Sequence, residues 1–265
     1  MRKAPAAGAD TVVFDLEDAV APGEKPSARE AVDAVLSDPE FDPDAEVCVR
    51  VNAGLADDDL AGLSPTARET VDAVMLPKVA GADDVETLRR LLREQDLDVP
   101  VLALIETAAG VLSAADIAAA EPTDAVLFGA EDLSADLGAS RTEEGTEVLY
   151  AREHVVLAAS AAGVDAIDTV YTDIDDTAGL REETRFAIQL GYDGKMAIHP
   201  GQVGPINEAF TPDEDELAWA RRVLDARDEA DEEGRGVFAV DGEMIDAPLI
   251  ARAERIVERA VAAED

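Results

Sequence analysis

Two carboxylates in this chain stand at the ends of apolar, strand-like runs: Glu106 in VLALIET and Asp132 in VLFGAEDL. About one helix and one strand separate them. That spacing sets them side by side at the carboxyl ends of neighbouring strands in a parallel barrel. Two hard oxygen ligands so placed suit Mg2+, which takes few protein carboxylates and leaves positions for water and substrate oxygens. A 2-oxoacid could fill two of those positions. The same carboxylates could instead cap the helices that follow, and Glu131 competes with Asp132 for the ligand role.

The other polar residues at predicted strand ends are few. They are Asp15, Glu17 and Asp18 in FDLEDAV, Arg50 and Asn52 in VRVNAG, Lys78 in LPK, Asp168 in IDTVY and His199 in IHP. Arg50 has a planar fork suited to gripping a carboxylate bidentately. It could equally pair with a strand-end acid such as Glu17. A strand-end lysine such as Lys78 can form a Schiff base with a carbonyl substrate. The surrounding acids favour its charged form, so a salt bridge is the expected role. His199, next to Pro200, reads as a structural hydrogen-bonding residue, and His154 falls inside a predicted helix. Asp246 precedes the last helix and could be its cap. No GxGxxG, Walker-type loop, Ser-His-Asp set or zinc spacing is present in convincing form.

The elements that must position these residues are legible as short runs rich in Val, Ile and Leu. They span Thr11–Leu16, Glu46–Val51, Ala73–Leu76, Val99–Ile105, Ala125–Phe128, Val164–Val170 and Gly194–Ile198. Continuous apolar runs suit strands buried on both faces, as in parallel sheets. Helical patterns cover Lys25–Leu36, Ala82–Glu94, Gly110–Ala120, Thr142–Ala162 and Asp175–Leu190, with an indistinct crossover around Leu55–Thr70. The expected fold is α/β, a TIM-like (β/α)8 barrel lacking its first strand in this chain. The opening RKAPAAGAD reads as a helix end, which puts the missing strand before residue 1 and suggests a start codon further upstream. Residues 1–210 are expected to form the barrel. Residues 211–265 are expected to form a helix, a hairpin around Asp241–Gly242 and a final helix from Ala247 to Ala263.

With 265 residues, 47% of them hydrophobic, the chain can build one large core. Its formal net charge is −38 and its only lysines are Lys3, Lys25, Lys78 and Lys195. Such a surface repels nucleic acid and anionic membranes. A folded protein with this charge suits a halophilic setting, where salt screens the self-repulsion. Its melting temperature should therefore rise from dilute buffer to molar KCl, and a constant value would rule that setting out. The single cysteine, Cys48, sits in VCVRV and reads as a buried hydrophobe. No secretory signal or long apolar span is evident, so a cytoplasmic location is expected.

Taken together, FDLEDAV, VRVNA, VMLPKV, LALIETAAGVL, FGAEDLSADLG, AIDTVYTDIDD and GKMAIHPGQV resemble the citrate lyase beta-subunit family and its malyl-CoA and citramalyl-CoA lyase relatives, within the HpcH/HpaI aldolase/citrate lyase superfamily. The likeness covers nearly the whole chain. It implies a TIM-like barrel that assembles as a homotrimer or hexamer. By position it makes Glu106 and Asp132 the Mg2+ ligands and Arg50 the holder of the oxoacid carboxylate. Ile167 and Asp168 fall in the coenzyme A cleft. MIDAPLIARA resembles a mobile lid whose aspartate, Asp246, acts in a neighbouring subunit's site. Relatives usually begin with a strand and a VPG-type turn whose basic neighbours help bind the CoA phosphates; here only Arg2 and Lys3 stand in that region. The implied activity is a Mg2+-dependent carbon–carbon lyase that cleaves or forms a 3-hydroxyacyl-CoA, giving a 2-oxoacid and an acyl-CoA. The alternatives are a malyl-CoA thioesterase or malate synthase-like activity, a CoA-independent 2-oxoacid aldolase, and a non-catalytic paralogue.

Overall fold

The computed structural model describes residues 5–232 and 237–263. Lys3 and Arg2 lie outside the described residues. The chain packs as two compact units, Met1–Gly204 and Pro205–Asp265.

In the first unit the apolar runs become seven strands: β1 (Thr11–Asp15), β2 (Glu46–Arg50), β3 (Ala73–Leu76), β4 (Val101–Ile105), β5 (Thr123–Phe128), β6 (Asp165–Asp168) and β7 (Gly194–Lys195). They pair in chain order and all in parallel, with β1 and β7 at the two edges of the sheet among the described residues. Parallel neighbours require crossovers, which helices supply. These are α1 (Lys25–Leu36), α2 (Ala56–Ala61), α3 (Pro65–Arg68), α4 (Ala82–Glu94), α5 (Ala108–Leu112), α6 (Ala114–Ala118), α7 (Ala130–Leu137), α8 (Leu149–Ala162) and α9 (Thr177–Leu190). The result is an α/β sheet of the TIM type, open between β1 and β7.

Side chains alternate across a strand, so every second residue shares a face. One face packs on the helices through Phe14, Val49, Val74, Ile105, Val126 and Phe128. The other carries Cys48, Met75, Leu102, Leu104, Ala125 and Leu127 as a separate apolar cluster. Continuing that second alternation one step past the apolar residues gives Arg50 after Cys48, Glu106 after Leu104 and Gly129 after Leu127. The strands thus deliver the polar residues to one end of the concave face, where parallel barrels carry their sites. Cys48 is free and fully buried, and burial pushes its thiol far up, so it is inert.

The crossovers differ in detail from the hydrophobic pattern. The single helix expected over Gly110–Ala120 is divided into α5 and α6 at Ser113, whose backbone leaves the helical region. The helix expected from Thr142 starts only at Leu149. The preceding loop is closed by Glu147, which accepts from the Thr142 N–H at 3.1 Å and its hydroxyl at 2.7 Å. Two helices fall outside the expected helical patterns: α7, and α10 (Pro200–Phe210).

The second unit contains α11 (Glu214–Glu232), a hairpin of β8 (Phe238–Val240) and β9 (Glu243–Ile245), and α12 (Ala247–Ala262). Asp241 and Gly242 turn the hairpin with φ of 53° and 86°, the positive values a two-residue turn of this type requires. Ala220, Val223, Phe238, Ile245, Ala253 and Ile256 form its core. No helix among the described residues is long and apolar enough to cross a membrane.

Candidate active site

Strands β1 and β2 pair in a register that sets Asp15 directly opposite Arg50. The guanidinium uses one edge of its fork on this partner: Nε donates to Asp15 Oδ1 at 2.8 Å and Nη2 to Oδ2 at 2.5 Å. Asp15 also accepts the N–H groups of Glu17 and Ala19, at 2.8 and 3.0 Å, which shapes the loop after β1. Burial alone would raise the Asp15 pKa, but Arg50 and these donors hold it below its ordinary value. The remaining nitrogen, Nη1, lies 3.4 Å from Glu17 Oε2, a buried oxygen with no hydrogen-bond partner. Arg50 is therefore an ion-pair residue shared between Asp15 and Glu17.

The loop after β1 is held from below. Lys25 Nζ donates to the carbonyls of Leu16 and Glu17 at 2.7 and 2.5 Å. Asn52 Nδ2 donates to Leu16 O at 2.8 Å, and Asn52 is itself fixed by Asp59, which pairs with Arg29 at 2.7 Å.

Glu106 directly follows β4 and is only 3% exposed. Its Oε1 accepts the Lys78 backbone N–H at 2.9 Å. Burial, followed by the charge of Asp132, pushes its pKa up to about 7. Gly129 makes room for it: a Cβ there would meet Glu106 Cβ at 2.5 Å and Oε2 at 2.8 Å. Asp132 stands half-exposed in the first turn of α7, where the helix N-terminus favours a carboxylate. Its neighbour Glu131 is drawn to Arg141 at 2.8 Å, so Asp132 is the acid that faces Glu106.

Lys78 follows β3 with a left-handed backbone, φ 55°. Its ammonium pairs closely with Glu17, lies 3.3 Å from Asp18 and 3.9 Å from Asp132. Desolvation opposes its charge, but Glu17 and the other acids raise its pKa well above the ordinary lysine range. These ion pairs fit the salt-bridge role rather than a nucleophilic amine. Lys78 links what sequence reading treated as separate strand ends.

Asp168, expected to line a cleft, is fully buried instead. Arg152 Nε and Nη2 donate to its two oxygens at 2.8 and 2.6 Å, and Lys195 Nζ donates at 2.8 Å. Two buried cations need a counter-charge, and Asp168 supplies it, tying β6 to α8 and β7. Its neighbour Ile167 packs against the concave-face cluster. His199 accepts the Gly201 N–H at 3.1 Å within a turn, and His154 stacks on Tyr150 at 5.6 Å. In the second unit Asp246 is exposed at the start of α12, and its side chain makes no capping hydrogen bond. The residue that sequence reading underrated is Asp15; its strand-end position in FDLEDAV was visible, but its pairing with Arg50 comes from the register.

An open parallel α/β sheet with acids, an arginine and a lysine gathered at its strand ends defines a barrel-type enzyme with an acidic site. The chain belongs to the HpcH/HpaI aldolase/citrate lyase family, whose model matches residues 1–200. It is 43% identical over 260 residues to a citrate lyase subunit beta-like protein of Mycobacterium tuberculosis, covering 96% of this chain and 89% of that one. It is 35% identical over 285 residues to the mitochondrial citramalyl-CoA lyase of Homo sapiens, covering 100% and 83%. Among solved structures it resembles CitE from Mycobacterium tuberculosis in complex with magnesium, acetoacetate and coenzyme A. The TM-score is 0.78 at 40% identity, covering 98% of this chain and 95% of that one.

Proposed function

We propose that the chain is a Mg2+-dependent carbon–carbon lyase. It cleaves or forms a 3-hydroxyacyl-CoA such as malyl-CoA, citramalyl-CoA or citryl-CoA, yielding a 2-oxoacid and an acyl-CoA. The observation that carries this reading is the buried Glu106 carboxylate set against Asp132, with its pKa raised to about 7, at the same end of the sheet as Arg50. Carboxylates crowded in this way fit a divalent cation. Among the described residues no three or more His, Cys, Asp or Glu are arranged to hold a metal. Two carboxylates suit Mg2+, which keeps water or substrate oxygens in its other positions.

A cation held by Glu106 and Asp132 would supply Lewis acidity toward the hydroxyl and carboxylate oxygens of the substrate. Arg50 grips the substrate carboxylate through Nη1, which the substrate takes over from Glu17, and Asp15 keeps the fork oriented. The hydroxyl proton passes to solvent water as the carbon–carbon bond breaks, and the bonding pair passes to the acyl-CoA as its enolate. Asp246 delivers a proton to that carbon in cleavage and removes it in condensation. It acts from a lid formed by residues 211–265 of a neighbouring subunit in a homotrimer or hexamer, in the cytoplasm. The strand end at Ile167, with Lys3, borders the coenzyme A path, and Asp168 holds that strand end from inside through Arg152 and Lys195.

The test is product formation from malyl-CoA, citramalyl-CoA and citryl-CoA, compared with aldol cleavage of CoA-free 2-oxoacid adducts, each with Mg2+ and with EDTA. CoA-dependent, EDTA-sensitive release of a 2-oxoacid is expected. Turnover of the CoA-free compounds alone would make the chain a 2-oxoacid aldolase. Hydrolysis without carbon–carbon cleavage would make it a thioesterase. Gly129→Ala is expected to displace Glu106 and to lower kcat/KM by ~10²-fold in a folded protein, as a misplacement near 1 Å does. Steady-state kinetics with circular dichroism checks this.

A further inference from the structure

We infer that Lys78 is a built-in counter-ion that competes with the divalent cation, stabilising the metal-free site while lowering its affinity for the metal. The inference rests on the magnesium reading above. A single residue meets four carboxylates here: the ammonium faces Glu17, Asp18 and Asp132, and the backbone N–H meets Glu106. Asp15 is matched by Arg50, whose Nη1 reaches only one oxygen of Glu17. Lys78 therefore carries most of the neutralising charge for Glu17, Asp18 and Asp132. Its left-handed backbone is uncommon for a residue with a side chain, and such conformations cluster at functional sites.

The competition follows from Coulomb's law. A cation shared by Glu106 and Asp132 takes over charge that Lys78 already satisfies, and the two positive centres repel one another across a partly buried site. Coupling is reciprocal: what the ammonium contributes to the metal-free site is subtracted from metal affinity.

The test is calorimetric titration of Mg2+ into the substrate-free wild type, Lys78→Met and Lys78→Arg at one KCl concentration, with melting temperatures in EDTA and in Mg2+. Lys78→Met should bind Mg2+ about 10-fold tighter or more. It should melt below the wild type in EDTA and gain more from Mg2+. Lys78→Arg should follow the wild type. Lys78→Gln, which keeps polar contact without charge, should behave as Lys78→Met does and replaces it if that variant does not fold in EDTA. Wild-type Mg2+ binding with no tightening in either neutral variant would overturn the counter-ion role alone. A wild type that takes up no Mg2+ would overturn the magnesium reading and this inference together.

Discussion

Glu106→Gln is expected to lower kcat/KM on the preferred acyl-CoA by at least ~10³-fold, about 4 kcal/mol of transition-state stabilisation. In metal-free buffer the same variant is expected to melt above the wild type. The carboxylate is almost fully buried and repelled by Asp132 and Glu17, whereas a glutamine oxygen can still accept the Lys78 N–H. The sign of the pH dependence follows from its raised pKa, about 7 in the fold against the ordinary 4.5. Between these values the folded chain holds a proton that the unfolded chain has lost. Wild-type stability therefore declines as pH rises through this window and reaches its lower plateau above it. Each unit of the gap is worth about 1.4 kcal/mol. The advantage of glutamine should be small in acid, grow toward neutrality and then level off. Calorimetry in EDTA across this range checks it, and a variant less stable than the wild type near neutral pH would show that the carboxylate supports the fold.

Asp246→Asn is expected to remove ~10²- to 10⁴-fold of CoA-substrate turnover, the range for a lost acid–base group. Mg2+ affinity should be unchanged. Asp246 is exposed and its side chain caps nothing, so its loss should leave the melting temperature near the wild-type value. The claim that it acts in a neighbouring subunit has a separate consequence. Co-expression of Glu106→Gln with Asp246→Asn should restore activity, because some sites then combine an intact Glu106 with a neighbour's intact Asp246. In a random equal mixture that is about one site in four. Mixed assemblies without activity, from variants that each fold and associate, would place Asp246 in its own chain's site or outside catalysis.

The central strands β3 and β4 were legible because each is a short apolar run buried at every residue, the pattern of a parallel sheet, whereas β1, β6 and β7 are only partly buried. Helices α1 and α4 were legible for a complementary reason: their apolar faces repeat with helical spacing. Helix α7 was harder to see because it is short and begins inside the GAED motif, although Gly129 before it and left-handed Gly138 after it bracket it. At the site, strand ends identify which residues arrive, while partners depend on register and on distant helices. Asp15 meets Arg50 because β1 and β2 pair without offset. Asp168 lies inside the protein because Arg152, on a helix before its strand, and Lys195, on the next strand, both reach it. Nothing local to IDTVY announces either cation. The bridging role of Lys78 was hidden in the same way, since its partners come from the ends of three different strands.

The most direct measurement is a crystal structure of the chain grown with Mn2+ and a 2-oxoacid, with anomalous data to locate the metal. An anomalous peak bound by Glu106 and Asp132 is expected, with the oxoacid carboxylate against Arg50 Nη1. A metal bound elsewhere, or an oxoacid seated away from Arg50 with Glu106 and Asp132 bare, would contradict it.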